Sequence, residues 1–167
     1  DRHRWMGGGS MAENGVHCVP NVPTEEVFTT PHRGRVDGTV RASMPLNYGG
    51  NLIDGFSVTF RDGRVVDYSA EQGESLLKSI VEMDDGSACL GELALVPNSS
   101  PIAQSGTLFY NTLFEMTAEE FAADGGNNSI AHVDFMIGSA AMDADGITVD
   151  GTVEPLMRAG EFVAGPK

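Results

Sequence analysis

Apolar positions in this chain fall mostly in short runs closed by turn residues, the pattern of strands rather than long helices. The clearest run is His132-Val133-Asp134-Phe135-Met136-Ile137-Gly138, set between Asn127-Asn128-Ser129 and Gly138-Ser139. It predicts a mostly buried strand. Residues 33–68 read as a β-meander: alternation along Arg35–Ala42 is broken by Gly38, and a loop follows at Asn47–Asn51. Phe56, Val58 and Phe60 then share one face, and Asp62-Gly63 is a hairpin signal before Val65–Tyr68. Pro23–Pro31, rich in β-formers and closed by prolines, predicts an extended edge strand. Cys89–Pro97 predicts a second buried strand, and Ile147, Val149 and Val153 mark short strands within 147–163. The one clear helical stripe is Leu76, Leu77, Ile80 and Val81, with Ser69 and Gln72 at capping-box spacing and Gly86 as the expected C-terminal cap. Thr117 and Glu120 open a second, short helix to Asp124, while 105–114 has no single period and 1–23 is glycine-rich and irregular. These elements predict one α+β domain over 1–167, rich in antiparallel strands with few helices.

Length and composition narrow the field. A chain of 167 residues can bury a core of its own. A formal charge of -14 excludes binding nucleic acid or an anionic membrane through a basic face, and it is compatible with a cationic substrate group. Cys18 and Cys89 lie far apart without C-x-x-C spacing, so they are expected as free thiols in a reducing, cytoplasmic setting. No run has transmembrane length or signal-peptide character. The chain begins at Asp1 and passes directly into Arg4-Trp5-Met6-Gly7-Gly8-Gly9, so it reads as a fragment of a longer protein.

Candidate chemistry rests on polar residues set in apolar, strand-like context. Strand geometry puts His132 and Asp134 on one face and Val133 and Phe135 on the other. The pair is either a hydrogen-bonded structural pair or part of a metal site. Glu92 is the only charge in its apolar run; a desolvated carboxylate requires a partner or takes up a proton. Glu25 and Glu26 face opposite ways in an extended segment, so only one of them can enter a given site. Asp143, Asp145 and Gly146 resemble the start of a calcium loop but lack its downstream glutamate, which predicts a plain turn. His17-Cys18 are adjacent and do not chelate one ion. One histidine and three carboxylates form a mixed set suited to zinc, cobalt or manganese, and two such ions would activate a water and polarise a carbonyl.

Several strings, in order along almost the whole chain, resemble the M29 family of metallo-aminopeptidases (the aminopeptidase T/aminopeptidase S type). They are Pro20–Pro31, Leu90–Pro97, Ser105–Phe114 and His132–Gly138, with Arg4-Trp5 and its glycines, Asp145-Gly146-Ile147 and Asp150-Gly151-Thr152. The resemblance implies a catalytic-type domain in a cytoplasmic, homodimeric enzyme that releases N-terminal amino acids from peptides by metal-activated water. It implies two divalent metal ions, zinc or cobalt, with manganese or magnesium as alternatives. It carries the metal-ligand role to Glu26, Glu92, His132 and Asp134. Glu25 becomes a candidate proton acceptor.

Two departures qualify that expectation. The family has an N-terminal domain before the Arg-Trp region. It also follows Asn-Thr-Leu-Phe with a segment bearing a further histidine ligand and a tyrosine proposed to act in catalysis, whereas here Phe114 is followed at once by Glu115-Met116-Thr117. Either the segment is deleted, or the molecule carries it and the sequence omits it; the strong matches on both sides favour the second. The competing reading from a different class is an inactive remnant of the fold, serving as a metal-binding or assembly module.

Overall fold

The computed structural model describes residues 5–7, 9–19, 25–105 and 125–163. Three short strands open the chain: β1 (Met6–Gly7), β2 (Ser10–Met11) and β3 (His17–Cys18). β2 and β3 form an antiparallel hairpin within the stretch expected to be irregular. β4 (Val27–Thr29) lies between β1 and a later strand, so it is central in its three-stranded sheet and not the edge strand expected. Pro31 lies beyond the paired residues Val27–Thr29, so it removes no hydrogen bond from β4 and does not confine it to an edge.

The meander follows. β5 (Gly38–Arg41), β8 (Ser57–Arg61) and β9 (Arg64–Ser69) form one antiparallel sheet, and β6 (Leu46–Tyr48) and β7 (Asn51–Ile53) form a hairpin. The β6–β7 turn carries Gly49 and Gly50 at φ 57° and 81°, and the β8–β9 turn carries Asp62 and Gly63 at φ 50° and 81°. Such primed turns match the right-handed twist of the strands they join. Gly63 is required for a second reason: a Cβ there would lie 1.7 Å from the Arg33 carbonyl oxygen.

Helix α1 (Glu74–Val81) runs over this sheet, with Leu77 and Ile80 buried. It starts later than the capping-box spacing suggests. Its N-cap is Gly73 in a left-handed conformation with no side-chain cap, because Asp54 pairs with Gln72 in a β-bridge and holds that part of the chain extended. It also ends at Glu82, short of Gly86, whose place is a later turn. The core comprises Ile53, Phe56, Val58, Phe60, Leu77 and Ile80, all at most 7% exposed.

β10 (Leu93–Leu95) pairs with β4, and α2 (Pro101–Ser105) follows. The last sheet is β11 (Ala144–Ile147), β12 (Val153–Arg158) and β13 (Glu161–Phe162). It corrects the plain turn expected at Asp143–Gly146: β11 pairs with β12 through a bulge at Ala144/Asp145, and Asp145 pairs with Arg158. Neither Cys18 nor Cys89 is in a disulfide. Residues 106–114, the helix expected over Thr117–Asp124 and the Phe114–Glu115 junction lie outside the described residues. No helix among the described residues is long and apolar enough to cross a membrane. The fold is thus α+β, dominated by antiparallel strands.

Phe56 is fully buried and meets Phe135 edge to face, with ring centroids 5.1 Å apart. Truncating it leaves a large void, so Phe56→Ala should lower unfolding stability by about 3–5 kcal/mol in urea denaturation. A loss below about 1 kcal/mol would mean the core is not centred here.

Candidate metal centre

Glu26 precedes β4 and Glu92 precedes β10. The strands are antiparallel, with Val27 opposite Leu95 and Thr29 opposite Leu93, so the two glutamates enter from opposite ends of the pairing. Glu26 is 8% exposed. Its neighbour Glu25 is exposed and accepts a hydrogen bond from the Ser100 hydroxyl at 3.4 Å. The two glutamates therefore point to different surroundings.

Residues 131–139 are not a strand, contrary to expectation. They run as an irregular segment that still alternates: Ala131, Val133 and Phe135 are half-buried, while His132, Asp134 and Met136 are exposed. Val133 and Phe135 pack against the core cluster, and the Ser43 amide donates to the Met136 carbonyl at 2.8 Å. Burial of alternate apolar side chains thus sets the period without a regular ladder, and it leaves the polar face towards solvent. His132 Nε2 lies 3.2 Å from Asp134 Oδ2, with the side chains 59% and 47% exposed. Both faces are as the period predicts; the expected burial of the polar one is not found.

Glu26 and Glu92 both feel nearby charge. Glu26 is pushed above its usual 4.5 by burial and then by the Asp134 carboxylate. Glu92 is pushed above its usual 4.5 by burial, then by Glu26 and Asp134, with His132 acting in the opposite direction. Like-charged oxygens held together in partly desolvated surroundings favour a proton or a cation. By donor type, three carboxylates and an imidazole suit a divalent ion such as zinc, cobalt or manganese. Among the described residues, however, no three His, Cys, Asp or Glu side chains gather closely enough to hold an ion. A cavity of about 430 Å³ opens beside them, lined by Glu92, His132 and Asp134 together with Phe56, Val58 and Leu90.

Sequence reasoning passed over the residues that tie these segments down. Asp84, after α1, accepts hydrogen bonds from the Ile130 amide and the Ser129 hydroxyl. Asn127 donates to the Gly86 and Cys89 carbonyls. Their only sequence signal was a pair of turn-forming clusters, Asp84-Asp85-Gly86-Ser87 and Asn127-Asn128-Ser129.

The raised carboxyls carry a sign. A glutamate that holds its proton to higher pH when folded contributes stability below its unfolded value, and that contribution is lost as pH rises through the folded value. In chelator, melting temperature should therefore fall from pH 4.5 towards neutrality by way of Glu26 and Glu92. Glu92→Gln should flatten the fall and melt higher than the parent at pH 7. A variant that melts lower there would contradict the electrostatic picture.

Comparison with known proteins adds the following. The family profile described as Thermophilic metalloprotease (M29) matches residues 1–115 and 115–162. Aminopeptidase 2 of Geobacillus stearothermophilus is 49% identical over 184 residues, covering 97% of this chain and 45% of that protein. Aminopeptidase AmpS of Bacillus subtilis is 49% identical over 183 residues, covering 96% and 45% respectively. The solved structure of wild-type AmpT from Thermus thermophilus superposes with a TM-score of 0.86 at 46% identity, covering 97% of this chain and 45% of that one. The chain spans about 45% of the length of the curated relatives it matches. The 184 aligned positions exceed the 167 residues of the chain, so that relative carries residues without a counterpart here. The two matched blocks of the family profile meet at residue 115.

Proposed function

This chain belongs to the M29 metallo-aminopeptidase family, and we propose that it is the metal-binding part of an aminopeptidase that releases N-terminal amino acids from peptides. The observation that carries the reading is that Asp134 acts on both Glu26 and Glu92, with Glu26 and His132 also acting on Glu92, in a chain whose relatives are named aminopeptidases. In this reading those four residues hold one or two divalent ions, zinc or cobalt, with manganese or magnesium as alternatives. Bound there, the ions supply Lewis acidity and an acidified water.

The chain's own residues do the rest. The excess of carboxylate charge attracts the cationic amine of a peptide terminus, and the adjoining cavity takes up its side chain. The His132 imidazole lies within hydrogen-bond distance of Asp134, its neighbour in the proposed ligand set. Glu25, one residue from Glu26, is the proposed proton acceptor; from the exposed side it would take the proton from the attacking water and return it to the leaving amine. A homodimer in the cytoplasm completes the reading.

A second reading is favoured by one specific observation: the matched blocks meet at residue 115, where the family's further histidine and tyrosine would be expected, while relatives align over more positions than this chain has. Under it, the chain binds a metal without catalysing hydrolysis and serves as an assembly module. Leucine p-nitroanilide with added cobalt or zinc separates the two: turnover supports the enzyme, and cation binding without turnover supports the module.

Calorimetric titration with zinc or cobalt tests the ligand set. His132→Ala should remove measurable binding while the protein stays folded, and unchanged affinity would refute its role. Glu25→Gln should lower kcat by about 100-fold or more with metal affinity unchanged. Equal kcat would remove Glu25 from the reaction.

A further inference from the structure

Two turns distant in sequence are fastened to each other behind the candidate ligands. The first, 84–89, follows α1 and leads to Glu92; the second, 127–130, leads to His132. Asp84 joins them. Its Oδ1 accepts from the Ser87 amide at 2.7 Å and the Ser129 hydroxyl at 2.9 Å. Its Oδ2 accepts from the Ile130 amide at 2.8 Å, with the same hydroxyl 3.0 Å away. The Ser129 hydroxyl in turn accepts from the Ala131 amide at 2.9 Å. Asn127, 9% exposed, reaches back the other way and donates through Nδ2 to the Gly86 carbonyl at 2.8 Å and the Cys89 carbonyl at 3.1 Å. Where the backbones touch there is no room for a side chain: a Cβ on Gly86 would lie 2.0 Å from the Asn128 carbonyl oxygen.

The reach of each arm beyond this clamp is short. Glu92 lies three positions beyond Cys89, and His132 two positions beyond Ile130. At about 3.3–3.6 Å per extended residue, the arms span at most roughly 10 Å and roughly 7 Å. Errors in the clamp therefore pass almost undiminished to the donor atoms, because little flexible chain lies between to absorb them. Charge-assisted bonds such as those to Asp84 are stronger and more directional than neutral ones. The hydrogen bond from the Ile130 amide is the leading cause holding the Asp84 carboxyl below its usual range, so the carboxylate is the form that serves.

We propose that Asp84 and Asn127 are positioning residues: they lock the turn before Glu92 to the turn before His132 and Asp134 at one separation, from which both arms would close on the same cation. The inference rests on the metal reading above and adds to it the residues that set the distance between ligands. Neither Asp84 nor Asn127 touches the ion or the substrate; each acts through the backbone of the turn it grips.

Cobalt supplies the test, because its visible absorption reports coordination geometry as well as occupancy. The full chain is titrated with cobalt as the parent and as Asp84→Ala, Ser129→Ala and Ser129→Thr, with a melting curve for each. Asp84→Ala should bind cobalt about 10–100-fold more weakly, with an altered band shape. Ser129→Ala should weaken binding less, and Ser129→Thr, which keeps the hydroxyl, should restore both affinity and spectrum. A purely structural clamp would shift only the melting curve. A folded Asp84→Ala with parental affinity and spectrum overturns the proposal. If Asp84→Ala does not fold, the serine pair decides: Ser129→Ala matching the parent overturns it, and loss with recovery in the threonine variant supports it. A parent chain that takes up no cobalt overturns the metal reading itself and this proposal with it, a result distinct from an unaffected variant.

Discussion

Burial disfavours the charged carboxylates of Glu26 and Glu92, the Asp134 carboxylate adds to that effect at both, and His132 acts against it at Glu92. Water solvates carboxylates well and a protein interior does not, so this grouping costs free energy until positive charge arrives. A proton meets the need at low pH, and a divalent cation would meet it at neutral pH. The rest of the candidate site follows from that constraint. It accounts for the tightly held protons of the two glutamates.

The scaffold works on both sides of this constraint. Pairing of β4 with β10 delivers the two glutamates from opposite ends of a short ladder. Hydrogen bonding of the Val65 amide to the Ala88 carbonyl, with the Arg64–Cys89 bridge, fastens the turn before Glu92 to the edge of β9. Asp85 in the same turn is held by Arg33 and Arg64 at 3.0 and 3.1 Å. These ion pairs are exposed and contribute little stability singly, but they converge on one turn and restrict its placement. On the far side, Phe135 set against Phe56 commits the His132 segment to the core face. A rigid meander thus carries short, well-anchored arms, and the donors sit at their tips.

Much of this was legible in the sequence, for identifiable reasons. Period-two alternation correctly put His132 and Asp134 on one face and Val133 and Phe135 on the other, and Asp62-Gly63 marked its hairpin, because both signals are local. What failed depended on neighbours. The segment 131–139 meets the period of a strand without being one, since burial sets alternation whether or not a ladder forms. Prolines flanking β4 suggested an edge, although they lie outside its three paired residues. Ser69 and Gln72 had capping spacing, but the Asp54–Gln72 bridge drew that stretch into β structure and moved the helix start to Gly73. Asp84 and Asn127 were invisible as partners because their bonds join turns 38–46 residues apart. The residue types of the candidate site were therefore readable, and the contacts that space them were not.

Glu26, Glu92, His132 and Asp134 are proposed to form one metal centre. Anomalous diffraction at the cobalt edge, from crystals grown with cobalt, tests it most directly. The account predicts a peak bounded by those four side chains, with the His132 nitrogen and carboxylate oxygens about 2.0–2.2 Å from it. A peak elsewhere on the chain, or an ordered site with no peak at saturating cobalt, would contradict the assignment.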